Sequence, residues 1–434
     1  MTQFFVIFLA TFAWTCAAFA FDAVEVRSKG GVIAWLVEDK TIPLLAMNFA
    51  FDKGTTSDPP GKEGVATFLT GMMDEGAGEL SAPEFQAKRD RLAVRLSFDV
   101  SGDNLFGSLQ TLSRNRSEAF ALLRDSLGRP RFEAEPMERM RQYFIQAAQN
   151  LEKDPQTIAY QEWLKLAIGQ HPYTRPSGGT PQSLQAITRD DLIAAHKSIY
   201  TRDNLKISVV GDISVAELAA ALDIAFGDLP QNSSESKKVP TATVRSTAAT
   251  KTVPFDIPQS IVVFGQAGIL NDDPNYFPAL VMAHILGGQS KSWLYNEVRE
   301  KRGLTYGVGY SLMPARSAGL YMGWLSTVNE KAGAAVGAVK ATLARMAQDG
   351  PTQQQLNDAK SYLTGSYALR FDGSYSVANY LLGLMLKGLP IDFANKRNDL
   401  VNAVTLEQVK AQASRLLKPD NLIVVAVGRP EGLD

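Results

Sequence analysis

The sequence predicts an α+β protein built of two homologous domains, each an antiparallel-rich sheet with helices packed on one face. Three observations carry that expectation. Thr188 to Gly211 (TRDDLIAAHKSIYTRDNLKISVVG) aligns without a gap on Thr405 to Gly428 (TLEQVKAQASRLLKPDNLIVVAVG), and the same offset of 217 relates Asn204 to Asn421. A constant offset over 24 positions marks a duplicated unit of roughly 200 residues rather than a short-period solenoid. Between the copies, Gln231 to Val253 is polar, free of aromatics and without clear periodicity, as an inter-domain linker would be. Strands also come in runs followed by runs of helix, without strict alternation, which favours layers of helix over a largely antiparallel sheet.

The elements follow in order. An apolar run from Phe4 to Trp14 ends in Ala18-Phe19-Ala20, a small-x-small cleavage pattern, so residues 1–20 read as a secretory signal peptide. Residues 21–230 then form the first domain, 231–253 the linker and 254–434 the second domain. The first domain's candidate strands are Gly31 to Val37, Leu44 to Phe51, Val94 to Val100 and Leu205 to Val210. The second domain's are Ser260 to Ala267, Tyr306 to Leu312, Leu320 to Ser326 and Leu422 to Val427. Helical periodicity is clearest at Met137 to Leu151, Gln156 to Ile168, Val215 to Phe226, Lys331 to Ala347 and Gln353 to Leu369. Both duplicated segments open on a Thr suited to cap a helix, turn at Asp-Asn and finish in a β-branched strand stopped by Gly.

Bulk electrostatics exclude some partners. A net charge of −1 leaves no basic footprint for nucleic acid and no polybasic patch for a membrane surface. With the leader removed, no later run is long and apolar enough to span a bilayer, which gives an exported, periplasmic expectation. The one cysteine, Cys16, falls within that leader, so the mature chain carries no disulfide and no thiolate ligand.

Metal chemistry is constrained in the same way. The chain has three histidines, His171, His196 and His284, and none shares a helix face with another at ligand spacing. Glu63, Asp74 and Glu75 flank the segment Gly64 to Gly76 and read as a solvated helix face. Serine chemistry lacks a nucleophile-elbow motif. The sharpest positive motif is Leu286-Gly287-Gly288-Gln289-Ser290, then Trp293-Leu294-Tyr295, then Arg299-Glu300-Lys301-Arg302-Gly303-Leu304-Thr305-Tyr306. It predicts a helix ending at Gly-Gly and a second helix with Arg299 in its last turn. Gly303 stops that helix before a strand starting near Tyr306. From periodicity alone, Arg299 and Tyr306 read as a dipole-compensating arginine and a half-buried strand tyrosine rather than as a site.

These motifs together resemble the pitrilysin, insulinase and mitochondrial processing peptidase family. Gly64 to Gly76 is similar to its zinc-binding helix, with Thr67, Thr70 and Gly71 where the family carries the side chains of H-x-x-E-H. His171-Pro172-Tyr173 followed by Gly178-Gly179-Thr180, the Gly-Gly block, and the Asn-Leu strand endings extend the likeness over nearly the whole mature chain. The distal glutamate that the resemblance implies would fall near Ala147 and Ala148, with Glu152 close by.

What the resemblance implies is half of a clamshell. Thr67, Thr70 and Gly71 are degenerate zinc-motif positions, and no metal or cofactor is expected in this chain. Zinc is expected in a paralogous partner subunit, and a peptide is the expected substrate. Arg299 and Tyr306, seven positions apart as in the family's motif, would supply substrate and oxyanion contacts in the complex. Gly287 and Gly288 would lie against the substrate. A peptide-binding or scaffold protein on the same fold, with no part in proteolysis, is the alternative reading.

Overall fold

The computed structural model describes residues 22–232, 239–270 and 272–433; the expected leader and Cys16 lie outside them. Two sheets organise the chain. The first contains β1 (Val24–Arg27), β2 (Ile33–Glu38), β3 (Leu44–Phe51), β4 (Arg95–Val100), β5 (Leu105–Leu112) and β6 (Leu205–Gly211), in the spatial order β1-β2-β6-β3-β5-β4. The second contains β7 (Ala249–Pro254), β8 (Gln259–Ala267), β9 (Gly307–Pro314), β10 (Gly319–Val328) and β11 (Ile423–Gly428), in the order β7-β11-β8-β10-β9. Each sheet has one parallel pair, β2 with β6 and β7 with β11, and is otherwise antiparallel. The duplication is therefore visible as topology, with β1 as the first sheet's additional strand.

Strand β7 occupies the end of the segment expected as a linker: Thr250 and Thr252 stand in parallel register with Val424 and Ala426. An edge strand needs only its backbone for pairing, so its polar side chains gave no apolar alternation to read. Three strands absent from the sequence expectation, β1, β5 and β7, are thus present.

Each sheet packs one face on its own helices. Phe49, Phe68, Phe120 and Phe226 meet in the first core; Phe264, Leu286, Val298 and Tyr310 meet in the second. The opposite faces are covered by exchange. The Pro155–Ile168 helix of the first half lies on the second sheet, where Trp163 and Leu164 pack with Val263, Ile423 and Val425. The Ser374–Leu386 helix of the second half lies on the first sheet, where Val377, Ala378 and Leu381 pack with Val210. Ser208 Oγ donates to the Ala378 carbonyl at 2.7 Å, and Asn48 faces the same helix backbone. Adding the 217-residue offset to 155–168 gives 372–385, so the exchanged helices are counterparts within the duplication.

This exchange explains why β3 reads Leu-Leu-Ala-Met-Asn-Phe-Ala-Phe and β11 reads Ile-Val-Val-Ala-Val-Gly without alternation. A strand covered on both faces is apolar at nearly every position, Asn48 being the exception that hydrogen-bonds the covering helix. At the rim, Tyr173 Oη donates to Asp103 at 2.6 Å and accepts from the Ser317 amide at 3.2 Å, and Arg316 pairs with Asp52. Burial and the Asp103 carboxylate push the Tyr173 phenol up to about 12, so it stays a neutral donor between the halves.

Candidate functional site

The degenerate motif lies on the Val65–Met72 helix, whose apolar face carries Val65, Phe68, Leu69 and Met72 into the first core. The helix start is held by a residue that the motif reading did not single out. Buried Asp58 accepts from the Gly64 amide at 2.7 Å and the Ala66 amide at 3.2 Å, satisfying two donors of the first turn. Burial raises the Asp58 carboxyl to about 7, and those two amides oppose the rise. Asp58-Pro59-Pro60-Gly61 reads as a turn, and only the fold shows that its first residue reaches the helix six positions on.

The three motif positions offer a zinc ion no ligand set. Thr67 Oγ1 donates to the Ser177 carbonyl at 2.7 Å, and Thr70 Oγ1 donates back to the Thr67 carbonyl at 2.7 Å. Gly71 faces the Ala134–Leu151 helix so closely that a side chain there would have to displace Phe144 and Met140. A Cβ there would stand 2.7 Å from Phe144 Cζ and 2.8 Å from Met140 Cε. Phe144 in turn packs against Phe68 with ring centroids 5.6 Å apart, and the Arg141 guanidinium lies over Phe68 at 5.3 Å. Space that a histidine side chain would need is occupied by carbon. Among the described residues, no three His, Cys, Asp or Glu side chains converge as a metal site. Glu75, buried beside the motif, pairs with Arg139 at 2.5 Å, and Asp74 pairs with Arg89 at 3.0 Å. The residues present therefore do not fit zinc.

The second half builds its motif differently. The Tyr276–Gly287 helix ends at Gly287, where a Cβ would meet Tyr310 Cβ at 2.5 Å. Gly287 is thus a close-packing residue between helix and β9, while Gly288 is exposed. Arg299 stands on a π-helical segment, Tyr295–Lys301, rather than an ordinary α-helix. Its end is closed by two nested backbone hydrogen bonds, the Leu304 amide to Val298 O and the Gly303 amide to Arg299 O, both at 3.0 Å, with Gly303 in the left-handed region at φ 57°. Buried Thr305 then pins the chain, donating to Ser326 O at 2.6 Å and accepting from the Gly307 amide at 3.1 Å. Tyr306, between these anchors, is 78% exposed.

The Arg299 guanidinium lies over the Tyr295 ring at 4.6 Å and approaches Glu300 at 3.6 Å. Tyr295, quoted in the sequence motif without a role, completes this group, as an aromatic four residues before an arginine at helical spacing. Glu297 on the same segment accepts from Arg302 at 2.9 Å and Lys301 at 3.1 Å, and the Arg302 hydrogen bond leads in holding its carboxyl below the usual range. The corner thus presents a cation and a phenol on a backbone fixed from both sides. Arg299 and Tyr306 belong to the second half, whereas Thr67, Thr70 and Gly71 belong to the first. Among the described residues, no hydrogen bond or ion pair joins the two groups.

Three comparisons bear on this arrangement. Residues 186–363 match the family model described as the peptidase M16 inactive domain. The "Non-peptidase homolog YmxG" of Helicobacter pylori is 26% identical over 373 residues, covering 86% of each chain. The mitochondrial-processing peptidase subunit beta of Lentinula edodes is 21% identical over 451 residues, covering 98% of this chain and 94% of that one. The crystal structure of a peptidase M16 inactive domain from Pseudomonas fluorescens superposes with a TM-score of 0.88 at 27% identity, covering 95% of this chain and all of that one. Fold, motif order and these likenesses agree: over nearly its whole length the chain is similar to proteins of the M16 peptidase family described as inactive or non-peptidase.

Proposed function

We propose that this chain is the zinc-less subunit of a heterodimeric zinc peptidase, acting with a zinc-binding paralogue on peptides or unfolded segments in the periplasm. The observation that carries this reading is the contrast between the two motifs. The Gly71 position is closed by Phe144 and Met140, while the Arg299–Tyr306 corner is pinned by Gly303 and Thr305 and left open to solvent.

In the complex, Arg299 and Tyr306 would each donate a hydrogen bond to the substrate carbonyl and to the oxyanion that develops on it. Removing one such donor typically costs about 2.7–4 kcal/mol in the transition state. The polarising ion and the attacking water would come from the partner. The apolar leader Phe4 to Trp14 and its Ala18-Phe19-Ala20 ending support export. Among the described residues, no helix is long and apolar enough to cross a membrane.

The test is zinc content and peptidase activity of the mature chain, alone and co-expressed with a paralogue carrying an intact H-x-x-E-H. Activity with about one zinc per pair, only in the mixture, is the expected result. Zinc and activity in this chain alone would overturn it. An inert mixture would favour the peptide-holding scaffold on the same fold.

A further inference from the structure

Arg397, on the Phe393–Asn402 helix of the second half, is a cation only 6% exposed, and buried charges are as a rule paired with an acid. This one is not. Its Nη1 donates to the Leu363 carbonyl at 2.7 Å, near the end of the Gln353–Gly365 helix, and to Asn398 Oδ1 at 3.0 Å. The guanidinium also lies over the Tyr367 ring at 4.7 Å. All three partners are neutral. Nε and Nη2 have no hydrogen-bond partner among the described residues, and neither is sealed from solvent. These two nitrogens form one edge of the guanidinium, so a pair of parallel N–H donors is left open.

A second cation follows three positions after Tyr367. Arg370 ends the short turn Ala368–Arg370, and its exposed guanidinium has no hydrogen-bond or ion-pair partner among the described residues. Phe371, next in the chain, packs on Tyr367 with ring centroids 5.0 Å apart and on Tyr380 at 5.1 Å, which holds the turn against the Ser374–Leu386 helix. Tyr367 Oη donates to Tyr380 Oη at 2.6 Å, so Tyr380 keeps its own proton to donate elsewhere. Half-buried Tyr276 opens the Tyr276–Gly287 helix within electrostatic reach of the same groups.

The field in this corner has one sign. Burial comes first in holding the Arg397 guanidinium and the Lys387 amine below their ordinary ranges, and the Arg370 charge adds to it in both. Burial raises the Tyr276 and Tyr380 phenols; Arg397 and Arg370 both oppose that rise, and no carboxylate acts on either. The acids nearest in sequence lie elsewhere. Asp392 pairs with Lys396. Asp399 is two residues beyond Arg397 and so on the opposite side of their helix. Asp372 accepts from Ser376 Oγ at 2.7 Å and acts on neither Tyr276, Tyr380 nor Lys387. Two guanidinium groups and an amine are thus left without a counter-charge.

We infer that Arg397, Arg370 and Tyr380 form a phosphate-binding site, taking inorganic phosphate or the phosphate group of a small ester. The open Nε–Nη2 edge of Arg397 matches two oxygens of one tetrahedral anion, Arg370 supplies the second guanidinium, and Tyr380 donates its free proton. Lys387 adds to the positive potential. A dianion fits this surplus of cations better than a single carboxylate does. The site goes beyond the proposed role in a heterodimer, because it lies among helices of the second half and requires neither zinc nor peptide nor partner.

The test is isothermal titration calorimetry on the mature chain in Tris chloride. Inorganic phosphate and glycerol 3-phosphate are titrated separately, with sodium chloride at matched ionic strength as the blank. Saturable one-to-one binding of at least one of the two phosphates is expected. Arg370→Gln should weaken it by at least about tenfold, and Arg370→Lys should recover part of that loss. Arg397→Lys keeps the charge but loses the paired donors, and should also weaken it by at least about tenfold. Arg370 is exposed, so Arg370→Gln keeps the test open if Arg397→Lys does not fold, and circular dichroism checks both. Tighter binding of glycerol 3-phosphate would assign the site to an ester, and equal or tighter binding of inorganic phosphate to the free ion. No saturable heat beyond the chloride blank, or binding unmoved by Arg370→Gln, would overturn this site and leave the heterodimer proposal standing.

Discussion

The indole Nε1 of Trp163 donates to the carbonyl oxygen of Ile423 at 3.0 Å, bonding a helix of the first half to a strand inside the second sheet. The ring is fully buried against Val263, Val425 and Val427, so it contributes both apolar contact and a satisfied donor. Trp163→Ala should destabilise the chain by about 3–5 kcal/mol, read as a lowered urea midpoint. Trp163→Phe keeps much of the ring, and its smaller loss separates the hydrogen bond from the packing.

Writing the lost motif back into the chain should not restore metal binding. In the triple variant Thr67→His, Thr70→Glu and Gly71→His, the new side chain at 71 meets Phe144 and Met140. Gly71→His alone should cost about 1–3 kcal/mol through overpacking, measured by thermal unfolding. Zinc content of the triple variant should stay at background by elemental analysis. Stoichiometric tetrahedral zinc would show that the Ala134–Leu151 helix yields more readily than its packing indicates.

In the assembled pair, Arg299→Ala and Tyr306→Phe should each lower kcat about 100- to 1,000-fold while leaving co-purification with the partner intact. Tyr306 is largely exposed, so Tyr306→Phe should change stability by less than about 0.5 kcal/mol. Tyr295→Leu removes the ring beneath Arg299 without removing the cation, and a smaller fall in kcat is expected. Unchanged turnover in the first two variants would end their assignment.

Asp58 gives a pH dependence with a definite sign. Its carboxyl titrates near about 7 in the folded chain, against about 4 in the unfolded one. Between those values the folded state binds the extra proton, so this group's contribution to stability is present below pH 4 and falls as pH rises toward 7. Asp58→Asn cannot ionise and should flatten that part of the profile in urea titrations between pH 4 and 7. A profile identical to that of the unaltered chain would remove Asp58 as its source.

Much of the sheet framework was legible because the strands sandwiched between helix layers are nearly all apolar. Leu44 to Phe51 was read with the limits that the structure gives β3. β5 was not, and Gly107 is the reason. Its inward face is Leu105, Gly107, Leu109 and Thr111, and a Cβ on Gly107 would sit 2.0 Å from Phe49 Cζ. The apolar volume at that position is delivered by Phe49 from the neighbouring strand, which no window around residue 107 contains. In the same way, Thr67, Thr70 and Gly71 could be recognised by what they lack, but the side chains that close the space lie on a helix some seventy positions later. The π-helical winding under Arg299 was hidden too, since its spacing shares residues with an ordinary helix end.

The exchange of equivalent helices has a consequence for how such a chain could arise. Two copies of one unit, each laying the same segment on the other's sheet, reproduce the symmetry of a homodimer that swapped an element before its genes were joined. The covalent join then serves mainly to keep the copies at high local concentration. Severing the backbone near Gln231 should therefore yield two fragments that reassemble when produced together. Either fragment produced alone would carry a bare sheet face and a helix with nothing to lie on, and should aggregate.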